Sequence, residues 1–134
     1  MSRENVDLVR RGYDHFLATG ELLEEATDAD FVWDMSTFRD WPDQQVYEGI
    51  DGARRFLREW GETWDDWKIE VEEYLDAGGD EVVTIVRQSG SAKSSGLRVD
   101  MHLAQVWTVR AGKQVRMRMY ASPEEALEVA GIEP

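Results

Sequence analysis

The sequence predicts one α+β domain in which long helices near the N-terminus lie against a curved, mostly antiparallel sheet. Apolar residues recur at spacings of three and four through much of the first half, and at every second position through much of the second half, marking helices and half-buried strands respectively. A length of 134 residues suits a single domain spanning 1–134, large enough to bury about two thirds of the surface its unfolded chain exposes. Hydrophobic residues make up 42% of the chain, with six Trp, four Tyr and four Phe, so a sizeable core is available.

Val6, Val9, Tyr13, Phe16 and Leu17 predict a helix over residues 4–18, which Gly20 is placed to end. A helical turn over 21–26 precedes a first strand over 30–35, Asp-Phe-Val-Trp-Asp-Met. Residues 36–47 read as a loop, with Trp41-Pro42-Asp43 as its turn signal. Asp51 can cap a second helix whose face carries Ala53, Phe56, Leu57, Trp60, Trp64 and Trp67. Strands follow over 68–76, 81–89, 97–109 and 113–121, with Gly78-Gly79 as one turn and residues 90–96 as a flexible link. Ser122-Pro123-Glu124-Glu125 starts a short final helix, and Gly131 terminates it.

The face of strand 97–109 carries Leu97, Val99, Met101, Leu103, Trp107 and Val109, interrupted by Gln105. A primary amide on an apolar face must find partners or cost roughly 1 to 3 kcal/mol, so it is either satisfied by the fold or faces a cavity. The link Arg110-Ala111-Gly112 sets which residues join that face. A two-residue turn would bring Arg116 and Arg118 to the core, whereas a three-residue loop brings Val115, Met117 and Met119. The second register is the one expected, with Gln105 opposite Met117 and His102 opposite Tyr120.

The formal net charge of −13 repels phosphate backbones and anionic membrane surfaces, which argues against nucleic acid and membrane as partners. No apolar run approaches the ~18 residues of a membrane span. With no cysteine and no visible secretory signal, the expected location is cytoplasmic. His15 belongs on the polar side of the first helix and His102 on the outer sheet face with Arg98 and Asp100. Two separated histidines without a spaced carboxylate set predict no metal site, and no cofactor motif is present.

The order of elements, with three local signatures, resembles the SnoaL-like branch of the nuclear transport factor 2 superfamily. The signatures are Leu8-Val9-Arg10-Arg11-Gly12-Tyr13; Val46-Tyr47-Glu48-Gly49 leading to Ala53-Arg54-Arg55-Phe56; and Val106-Trp107-Thr108 through Gly112-Lys113 to Tyr120 and Glu125-Ala126-Leu127. The resemblance implies a cone-shaped barrel with a mostly apolar pocket, commonly a homodimer, and no particular reaction. Relatives include ketosteroid isomerases, limonene epoxide hydrolases and polyketide cyclases. Against the isomerases, Tyr13 falls at the oxyanion-hole tyrosine and Gln105 where a protonated aspartate would donate a hydrogen bond. The isomerase base falls on Asp34 or on Met35, and strand parity favours Met35. The hydrolases' Asp-Arg-Asp set has no counterpart at inward positions.

Three functions remain open. One is a pocket for a small apolar or aromatic ligand, lined by Tyr13, Phe16, Trp33, Phe56, Trp60, Met101, Leu103, Gln105, Met117 and Met119. A second is a cofactor-independent isomerase, cyclase or hydrolase, with Tyr13 and Gln105 on the developing oxyanion and Asp34 as base. The third is a dimeric interaction or structural module with a filled interior. A carboxylate reaching the cavity would favour the second.

Overall fold

A computed structural model describes residues 2–38 and 46–132 of the chain. In chain order they form α1 (Ser2–Thr19), a 3-10 turn (Glu24–Ala26), β1 (Thr27–Asp34), β2 (Val46–Glu48), α2 (Gly49–Thr63), β3 (Trp64–Asp76), β4 (Glu81–Ala92), β5 (Arg98–Arg110), β6 (Lys113–Tyr120) and α3 (Pro123–Ala130). The strands make one six-stranded sheet in the order β2-β1-β6-β5-β4-β3. β1 and β6 run parallel and every other pair is antiparallel. The result is an unclosed, curved α+β fold of the cone-shaped kind, with α1 and α2 against one sheet face and α3 against the other.

Two hydrophobic clusters follow from this layering. The larger fills the concave side with Val9, Phe31, Trp33, Phe56, Trp60, Leu103, Trp107 and Met117 among others. The smaller lies beneath α3 and contains Val83, Ile85, Ala104, Val106, Tyr120 and Ala126. β4 and β5 are therefore apolar on both faces where α3 covers them. Ser122 caps α3 by accepting from the Glu125 amide at 3.4 Å, and Gly131 ends it at φ 75°.

Several boundaries differ from expectation. β2 is an additional short strand, paired to β1 through Trp33↔Tyr47. α2 begins at Gly49 with Glu48 in the cap position, three residues before the cap expected at Asp51. It ends at Thr63, because Trp64 is already extended at φ −122°, ψ 146°. Trp64 and Trp67 thus belong to β3, where they extend the aromatic face of α2 onto the sheet. The expected turn at Trp41-Pro42-Asp43 lies outside the described residues.

The β5–β6 hairpin corrects the loop and keeps the face. Arg110 pairs with Lys113 across a two-residue turn whose Ala111 and Gly112 have φ of 52° and 74°. Left-handed conformation at both positions matches the right-handed twist of the strands. A bulge then leaves Val115 without an opposite residue, since Val109 pairs with Gln114 and Thr108 with Arg116. That extra residue restores the alternation, so Met117 and Met119 are buried and Arg116 and Arg118 face outward, as the cost of burying cations requires. It also turns Gln114 inward in place of Val115. The pairings shift by two: Gln105 stands opposite Met119, not Met117, and Tyr120 opposite Ala104, not His102.

Candidate functional site

A cavity of about 110 Å³ opens between α1, α2, the segment after α1 and the concave face of the sheet. Its walls are largely aromatic. Trp33 stacks on Phe56 with ring centroids 4.8 Å apart, and Phe56 stacks on Trp60 at 5.6 Å. Trp60 meets Trp67 edge to face at 5.3 Å, and Trp67 stacks on Trp64 at 5.2 Å. Gly90 makes this last approach possible: a Cβ there would lie 3.0 Å from the Trp67 ring and 3.1 Å from the Asp65 carbonyl oxygen.

Of the residues expected at a pocket, Tyr13, Phe16, Trp33, Phe56, Trp60, Gln105 and Met119 line the cavity. Leu103 and Met117 are buried in the core and Met101 is half-buried against it; none of the three reaches the lining. Gln88, Trp107, Gln114, Trp67 and Ile69 line it without having been anticipated. Gln88 had a weaker form of the Gln105 signal, a polar residue closing the alternating series Val82, Thr84, Val86. Gln114 had none, because only the bulge turns it inward.

The Tyr13 hydroxyl lies 3.0 Å from Thr84 Oγ1 and has no hydrogen bond to Gln105 among the described residues. Trp107 Nε1 donates to the same oxygen at 3.2 Å. Burial pushes the Tyr13 ionisation far above the ordinary tyrosine range, with the Thr84 and Trp107 hydrogen bonds only partly opposing it, so the hydroxyl stays neutral. Gln105, 4% exposed, directs its Nε2 toward Met119 Sδ at 3.6 Å. Its Oε1 has no partner among the described residues, and neither has Oε1 of Gln88, also 4% exposed. Two buried amide oxygens on the cavity wall are thus left unsatisfied, the exception among buried polar groups.

Asp34 is on the other face. It is buried, but its carboxylate accepts from the Ser36 amide at 2.9 Å and the Ser36 hydroxyl at 2.6 Å, and it pairs with Arg116. Burial alone would raise its pKa; the Ser36 bonds and the Arg116 guanidinium outweigh it and hold the carboxyl below its usual value. It therefore ties β1 to β6 and orders the start of the following loop. Met35, the alternative position, is fully buried and receives the Trp33 Nε1 hydrogen at 3.3 Å on its sulfur. Neither lines the cavity.

No Asp, Glu, His, Lys or Arg is present among the described lining residues. His102 is exposed on the outer face, opposite Arg87, with its Nε2 2.6 Å from Glu72 Oε1. Among the described residues there is no cluster of groups able to hold a metal, and no helix is long and apolar enough to cross a membrane.

A comparison with curated proteins finds no match. Among solved structures, the chain is similar to a protein assigned as a SnoaL-like polyketide cyclase from Jannaschia sp., at 22% identity and TM-score 0.72, covering 99% of this chain and 95% of that one. It is similar to TerC, crystallised with polyporic acid, at 18% identity and TM-score 0.72, covering 96% and 98%. A ketosteroid isomerase-like fold from Catenulispora acidiphila, in complex with trimethylamine, matches at 14% identity and TM-score 0.62 over 83% and 81%. At such identities the likeness concerns the fold. The model of the SnoaL-like domain matches residues 9–117, and with the helix-roofed cavity on a curved sheet this places the chain in the SnoaL-like domain family.

Proposed function

We propose that the protein binds a small uncharged organic molecule, with an aromatic or apolar body, in the cavity beneath α1 and α2. The observation that carries this reading is a cavity walled by aromatic rings and neutral amides with no charged group among its described lining residues. Desolvating an anion there would go uncompensated, whereas a flat apolar body gains ring contacts on several sides. The solved relatives with polyporic acid and with trimethylamine support a small organic ligand in this fold.

Proton transfer fits less well. Asp34 is committed to Ser36 and Arg116, and Tyr13 is held neutral, so the described lining offers no base near neutral pH. Tyr13 and Gln105 act in this reading as orienting groups. The resemblance also implies a homodimer, for which the exposed outer face bearing Glu72, Arg87 and His102 is the surface we propose.

The test is a thermal-shift and tryptophan-fluorescence screen of small neutral aromatics, each hit confirmed by calorimetry and recovered unchanged by NMR. Binding without turnover is the expected result. A screen in which only carboxylates or phosphates bind, or in which bound molecules are converted by a reaction needing a base, overturns it. Sedimentation velocity reads the assembly state separately.

A further inference from the structure

Gln88 and Gln105 raise a question that the aromatic walls do not answer. Each side chain is 4% exposed, each lines the cavity, and each leaves its amide oxygen without a partner among the described residues. Both acceptors lie on one sheet face. Gln105 pairs with Thr84 across β4–β5, and Gln88 stands four positions further along β4, opposite Met101. At about 3.3 Å of rise per residue this sets the two backbones roughly 13 Å apart along the strands, both on the wall of the same opening.

An orphaned acceptor calls for a donor. The Trp107 indole donates to Thr84 Oγ1, and the Tyr13 and Thr84 hydroxyls share one hydrogen bond, so none of the three serves either glutamine oxygen. Anionic ligands are excluded by the same geometry, since bare carbonyl oxygens repel them and no cation stands among the described lining residues. The size of the opening limits the body between the donors. A cavity of about 110 Å³ is near the volume at which apolar protein cavities accept one aromatic ring, roughly 150 Å³ for benzene. A single ring with donors at its 1 and 4 positions, plus a hydrogen bond of ~2.8 Å at each end, spans roughly 11 Å, which suits two glutamine side chains leaning inward.

We infer that Gln88 and Gln105 are a specificity pair for a one-ring aromatic ligand carrying a neutral hydrogen-bond donor at each end, of the hydroquinone or aminophenol class. This rests on the small-molecule reading above and names its ligand class. Gln105 receives one donor and Gln88 the other, while the aromatic walls hold the ring. Met119 opposite Gln105 supplies an adjustable apolar contact beside the first donor.

The test uses an isosteric series in which hydroxyl is exchanged for methyl: hydroquinone, kept reduced under anaerobic conditions, then p-cresol and p-xylene, with 4-hydroxybenzoate as the anionic arm. Affinities are measured by calorimetry on the full chain, wild type and the Gln88→Leu and Gln105→Leu variants. Each hydroxyl is expected to tighten binding about threefold to tenfold over methyl, the usual net worth of one hydrogen bond. Each leucine removes one such step from the hydroquinone to p-xylene ratio and leaves p-xylene binding unchanged or tighter. Replacing an unsatisfied amide by a similar apolar volume is also expected to hold or raise the melting temperature, which checks folding independently. Hydroquinone binding no tighter than p-xylene, or a preference that survives both substitutions, overturns the specificity pair while p-xylene binding keeps the pocket. Binding by none of the four removes both readings.

Discussion

Thr84→Val tests whether the concave wall is organised by one hydroxyl. Thr84 is fully buried, and its Oγ1 meets the Tyr13 hydroxyl at 3.0 Å and the Trp107 indole nitrogen at 3.2 Å. Valine has the same shape, so packing is conserved while two buried polar groups lose a partner. Each orphaned group costs about 1 to 3 kcal/mol, and the added methyl returns close to 1 kcal/mol of burial, leaving a net loss centred on about 3 kcal/mol within a range of roughly 1 to 5. Against a typical domain stability of roughly 5 to 15 kcal/mol that is a large fraction. Urea denaturation followed by tryptophan fluorescence measures it directly, and the melting temperature should fall by roughly 6 to 15 °C for a chain of this size. Tyr13→Phe supplies the second arm. With the phenol gone, Thr84→Val orphans only the indole, so its cost in that background should shrink by about 1 kcal/mol or more. Strict additivity, or a single-variant loss below about 0.5 kcal/mol, would show that the hydroxyl is not the joint between α1 and the sheet.

Two further substitutions probe the walls and the ion pair. Gly90→Ala places a methyl against the Trp67 ring and the Asp65 carbonyl, so it should destabilise by about 1 to 3 kcal/mol as an overpacking change. The same variant should weaken ligands that stack on Trp67, read by calorimetry; unchanged stability and affinity would mean that the tryptophan pair shifts freely. Asp34→Asn should cost about 1 to 2 kcal/mol at neutral pH, since a charge-assisted bond is lost but Arg116 is half exposed and screened. Because the folded pKa of Asp34 lies below its usual 3.8, its contribution is present above that value and fades as pH falls through the folded pKa. Denaturation measured from pH 6 down to the acid limit should therefore show the wild-type and variant stabilities converging, and a constant gap would contradict the pairing.

The fold class, the helical stripe of Val9 and Tyr13 and the cap at Ser122 rest on local regularities that survive without knowledge of the partner strands. Spacings of three, four and two residues are set by backbone geometry itself. Gln105 was legible for the same reason, as a polar residue at an apolar position, and Gln88 carried a weaker signal at the end of the alternating series in β4. The aromatic run from Phe56 to Trp67 was also visible, but its division between α2 and β3 was not. Indole rings suit either element, and the change to extended backbone at Trp64 depends on pairing with Ala92.

What the sequence by itself determined is which residues must be buried and which polar groups would need partners: Gln105, Tyr13, and the outward cations Arg116 and Arg118. Only the tertiary structure decided who the partners are. A two-residue turn followed by a bulge at Val115 keeps the apolar face and moves every pairing beyond the bulge by two, which sets Met119 beside Gln105 and brings Gln114 inward. Strand parity is a property of the chain, but register is a property of two chain segments meeting, and it left Asp34 with Arg116 and both glutamine oxygens with no partner among the described residues.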